Sequence, residues 1–107
     1  MAKLSVNGSE YVAPIGQYET VAAGQTAQVL GPVGAKGDVI HRLIIIPATT
    51  SPGLVTLLDN STSIPIMVAG TTTIVPIVVE LGMVSQSGAW KITTGANVSV
   101  IAVGDFT

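Results

Sequence analysis

In Ala89-Trp90-Lys91-Ile92-Thr93, Trp90 and Ile92 fall on one side of an extended chain and Lys91 and Thr93 on the other. A period of two is what a pleated strand with one buried face produces. Outward from this stretch, as far back as Glu19, the chain repeats one theme: short apolar runs divided by clusters of Gly, Pro, Ser, Thr and Asn. The runs are residues 26–30, 39–47, 54–58, 64–68, 74–81, 89–94 and 97–103. Val, Ile and Thr dominate them, and branched side chains suit a pleated sheet better than a helix. No stretch of twelve residues carries a helical apolar stripe free of Gly and Pro. The pattern therefore predicts an all-β fold, a seven- to eight-stranded antiparallel sandwich of jelly-roll or Greek-key type.

One run is apolar on both faces. Leu43-Ile44-Ile45-Ile46 has no polar side to give to water. In an antiparallel sandwich one of its faces belongs to the core and the other to a contact with another subunit, which makes Ile44 and Ile46 candidate contact residues. Residues 1–18 read differently. They hold Gly8, Pro14 and Gly16, both tyrosines, and no sustained period, so they are expected to form an extended N-terminal arm, with at most a short edge strand at Tyr11 and Val12. Residues 19–107 then form a single β-sandwich domain. A purely solvated tail has little use for Tyr11, Val12, Ile15 and Tyr18, and these four join the candidate contacts to a partner protein or to another subunit.

Composition points the same way. Of 107 residues, 48% are hydrophobic and only 9% are charged, against about 25% charged in typical soluble domains. Such a surface is built from Thr, Ser, Gly and apolar atoms, and exposed apolar area of that kind marks an interface. Four scattered basic residues and a net charge of −2 give no phosphate-binding patch, so no nucleic-acid partner is expected. The lack of cysteine removes disulfides, thiol chemistry and Cys-ligated metal, and fits a reducing cytoplasm. No secretory leader is read, because the chain turns polar right after Met1-Ala2-Lys3. Residues 60–79 are uncharged and long enough to span a bilayer, but Pro65, Gly70 and Pro76 would break a helix three times, so no membrane partner is expected.

Chemistry-bearing motifs are scarce. His41 is the only histidine and lies in an apolar run, where pairing with Asp38 or Asp59 and a serine would be needed for nucleophilic catalysis. No serine stands in a Gly-x-Ser-x-Gly turn, the carboxylates are scattered, and one His without Cys or an acidic cluster offers no metal site. Neither an enzyme nor a cofactor is expected. The glycines of loop 31–38 are not followed by a helix, so the loop reads as a long flexible connection with Lys36 and Asp38 at its solvent-facing tips. Asn7, Asn60 and Asn97 each begin an Asn-x-Ser/Thr triplet, which in this chain reads as turn chemistry. Trp90 is expected to fill the core, with its indole N–H satisfied near a sheet end.

Longer stretches resemble a known class of proteins. They are residues 18–23 (Tyr18-Glu19-Thr20-Val21-Ala22-Ala23), 28–38 (Gln28-Val29-Leu30 through Asp38), His41-Arg42-Leu43, 47–53, Ser87-Gly88-Ala89-Trp90 and 94–104. Together they are similar to small structural proteins of tailed bacteriophages, over nearly all of 18–107. That resemblance implies a capsid decoration (cement) protein of the jelly-roll type. It would be a homotrimer made in the bacterial host cytoplasm and carried on the capsid exterior, where it binds the major capsid protein and stabilises contacts between coat subunits. A receptor- or glycan-binding sandwich of a phage head or tail fibre is the alternative.

Overall fold

Alternating side chains turn each apolar run into a strand with one dry face, and such strands gain most when two sheets close face to face. The structure, a computed structural model, describes residues 3–6, 9–12 and 17–107. Its strands are β1 (Lys3–Val6), β2 (Ser9–Val12), β3 (Gln17–Val21), β4 (Gln28–Val29), β5 (Val39–Pro47), β6 (Val55–Asp59), β7 (Thr62–Met67), β8 (Ile77–Val84), β9 (Trp90–Thr94) and β10 (Val98–Asp105). None of the described residues is helical, and no helix is long and apolar enough to cross a membrane. Strands β1 and β2 pair antiparallel in a sheet of their own. The other eight form two four-stranded antiparallel sheets, ordered β3-β10-β5-β8 and β4-β9-β6-β7. Early and late strands thus lie side by side in both sheets, the strand order of a jelly roll.

The core lies between the sheets and is filled by alternate residues. Leu43 and Ile45 of β5, Val55 and Leu57 of β6, Trp90 and Ile92 of β9, and Val98, Val100 and Ala102 of β10 are all buried. Fully burying a Val, Leu or Ile side chain contributes about 1.5–3 kcal/mol each, so this layer dominates the stability of the sandwich. Trp90 is 2% exposed, and its indole N–H donates to the Asp38 carbonyl at 2.8 Å, as its place near a sheet end required.

Each predicted run contributes a strand, with ends shifted by a few residues. The eighth strand, β3, takes Gln17 and Tyr18 out of the expected arm, for they pair with Gly104 and Val103 of β10. Its alternation is hidden because the core-side position before Val21 is Glu19. That carboxylate accepts hydrogen bonds from Gly31 N (2.8 Å) and Gln28 Nε2 (3.0 Å). The short strand expected at Tyr11 and Val12 lies within β2. Asn60 and Asn97 adopt left-handed φ of 58° and 60° in the β6–β7 and β9–β10 turns, a conformation asparagine tolerates, so turn chemistry accounts for both.

Candidate interaction surface

Antiparallel pairing assembles a surface no single segment contains. On the outer face of the β3-β10-β5-β8 sheet, Thr20, Ile101, Ile44 and Val78 fall in one cross-strand row, and Tyr18, Val103, Arg42 and Glu80 in the next. Ile46 continues the face beside Ser99. Leu43 and Ile45, the alternate residues, point into the core and are fully buried, while Ile44 and Ile46 remain partly exposed. Tyr18 is 75% and Val78 57% exposed. These two rows carry two charges, and they neutralise each other: Arg42 Nε donates to Glu80 Oε1 at 2.9 Å. The outer face of the other sheet is mixed: Val29, Lys91, Leu58 and Ser63 fall in one row and Thr93, Thr56 and Pro65 in the next. One side of the sandwich therefore presents largely apolar rows whose two charges are paired, and the other side is mixed.

The ends of the sandwich differ as well. Loops 22–27, 48–54, 68–76 and 95–97 meet at one end and contain no charged residue. Backbone hydrogen bonds tie them together: Gly24 N to Gly95 O (2.9 Å), Gly53 N to Ala96 O (2.8 Å) and Thr72 N to Thr50 O (2.9 Å). Val68 (80% exposed), Ile74 and Val75 stand out from this end. A cleft of about 470 Å³ beside them is lined by Pro52, Met67, Val68, Thr72 and Ile77, among others. Lys36, Asp38, Asp59 and Asp105 all belong to the opposite end.

At that opposite end loop 31–38 differs from the expected solvent-facing connection. Lys36 is exposed, but Asp38 is 5% exposed and is no solvent-facing tip. Its carboxylate accepts from Ala35 N (3.0 Å), Thr107 N (3.1 Å) and Thr107 Oγ1 (2.9 Å). The Thr107 carbonyl in turn accepts from Val33 N and Gly34 N, so loop 31–38 is closed around Thr107. His41 is the extra residue where β5 bulges against β10, with Ile40 opposite Gly104 and Arg42 opposite Val103. Its Nε2 lies 3.8 Å from Asp105 Oδ2, so its acidic neighbour is neither Asp38 nor Asp59. Both of those atoms are buried without a hydrogen-bond partner. Among the described residues no group of three or more His, Cys, Asp or Glu is placed to hold a metal ion.

Of the residues singled out from sequence, Ile44, Ile46 and Tyr18 share the apolar outer face. Tyr11 and Val12 belong to β2 by backbone alone, and Ile15 lies outside the described residues. Val78, Ile101 and Val103 complete the face and were not singled out. Their signal is the same alternation, since each is the outward neighbour of a buried position, but which of them meet is decided by strand pairing. Compared with protein-family models, curated proteins and solved structures, the chain matches none.

Proposed function

We propose that this protein is a decoration protein of a tailed-phage capsid, which binds the outside of the shell as a homotrimer and reinforces contacts between coat subunits. The observation that carries the reading is the largely apolar outer face of the β3-β10-β5-β8 sheet, on which Arg42 and Glu80 are paired. A face of that kind, on a chain with 9% charged residues, suits permanent burial between protein subunits better than life in water. The phage-like text of residues 18–107 supplies the identity of the partner, the major capsid protein. In this reading the outer face joins copies to one another and the charge-free loop end meets the coat. A bridge that binds the assembled lattice and not separated coat subunits stabilises the lattice by mass action. Three linked copies make modest single contacts sufficient.

The test is capsid stability. Purified protein added to undecorated, DNA-filled capsids of the parent virus should raise the temperature at which they release DNA, with the gain saturating at a fixed ratio of protein to coat. Capsids that release DNA at an unchanged temperature would count against the proposal. Binding to host cells or glycans in place of capsids would favour the head- or tail-fibre module instead.

A further inference from the structure

The four outer edges of the two sheets are unequally protected against pairing with another chain. β4 is two residues long, and β7 contains Pro65, which has no N–H to offer a neighbour. β3 turns the charged side chain of Glu19 inward, a device that discourages a further strand. β8 has none of these. It runs for eight residues without proline, and its one charge, Glu80, is occupied by Arg42 on the sheet face. Gly82, at φ 60°, marks an irregularity in its pairing with β5. Residues 77–80 pair with β5 in unbroken register and have no strand on their other side.

The β1–β2 hairpin has the complementary problem. It forms a two-stranded sheet of its own, and such a hairpin is marginally stable in water unless it packs on something or joins a larger sheet. Each of its strands is four residues long, a match for the open stretch of β8. Within one chain the two do not pair. β3, which follows the hairpin, is at the opposite edge of the sheet from β8. A strand added outside β8 would be four strand spacings from β3, or about 19 Å. Val12 and Gln17 are five Cα steps apart, and that length of chain reaches at most about 18 Å when fully extended. The route would also have to rise over the side chains of Tyr18, Val103, Arg42 and Glu80.

From this we infer that the β1–β2 hairpin of one copy adds to the β8 edge of the next copy. The donor and acceptor surfaces differ, so the contact is head-to-tail, the kind that builds a ring when the rotation between copies closes. The acceptor sheet grows from four strands to six, and the edge beside Val78 is covered. The inference concerns self-association alone and does not rest on a capsid partner.

The chain has no cysteine, so introduced thiols report cleanly. Full-length chains carrying Ser5→Cys or Glu10→Cys are co-expressed with chains carrying either Val78→Cys on β8 or Ser63→Cys on β7. Disulfides to position 78 should form at least roughly tenfold faster than those to position 63, because only the former are held together. Equal rates at the two positions overturn the inference. Independently, Glu10→Pro, which removes a backbone donor from β2, should lower the mass of the full chain in light scattering to the 10.8 kDa monomer. A wild-type chain already monomeric under the same conditions, or a variant with unchanged mass, overturns it as well.

Discussion

Arg42 and Glu80 face each other across β5 and β8, 2.9 Å apart, on a largely apolar sheet face. In the isolated chain both are well exposed, at 43% and 69%, and a pair of that kind contributes only about 0–1 kcal/mol. Buried between subunits, either charge alone would be costly. Arg42→Ala should therefore shift monomer stability by less than about 1 kcal/mol yet weaken self-association markedly, because it leaves Glu80 without a partner in the contact. Thermal melts and light scattering on the same sample check both halves.

The doubly apolar run gives a sharper contrast. Ile45→Ala empties a fully buried site and should cost about 2–5 kcal/mol of folding stability in a denaturant titration. Ile44→Lys and Ile46→Lys place a charge on the outer face, so the domain should stay folded while its assembly fails. Unfolding of both lysine variants would mean that the outer face supports the fold and not the contact.

Loop 31–38 provides a test of its own. Asp38→Ala removes the acceptor for Ala35 N, Thr107 N and the Thr107 hydroxyl, and should cost about 2–4 kcal/mol. Lys36→Ala, two residues away and exposed, should change stability by no more than about 0.5 kcal/mol. Denaturant midpoints of the two variants measure the difference.

At the charge-free end, Gly53 and Gly95 cross back to back: a Cβ on Gly53 would lie 2.7 Å from the Cα of Gly95, and one on Gly95 equally close to the Cα of Gly53. Gly95→Ala must push the loops apart and should destabilise by about 1–3 kcal/mol. Gly70→Ala, in the same cluster of loops but with open space around it, should leave the melting temperature nearly unchanged.

The β fold was legible because period-two patterning is local, and β5 coincides with the run read at 39–47. The partner of the Trp90 N–H was foreseeable in kind, since a buried indole needs an acceptor, though not in identity. β3 escaped notice because Glu19 occupies a core-side position and is satisfied by Gly31 and Gln28, contacts that only the folded chain creates. Asp38 was misread for a similar reason: nothing local reveals that Thr107, 69 residues away, returns to meet its carboxylate. Ile44 and Ile46 followed from alternation within one strand. Their neighbours Val78 and Ile101 are set by register between strands, which a sequence does not display.

Co-sedimentation with undecorated empty capsids tests most directly whether the outer face of the β3-β10-β5-β8 sheet serves capsid binding. Wild-type protein should pellet with capsids at a saturating, fixed stoichiometry. Thr56→Lys, on the outer face of the other sheet, should do the same, while Ile44→Lys should remain in the supernatant. Capsids that capture none of the three, or capture folded Ile44→Lys as fully as wild type, would contradict that role.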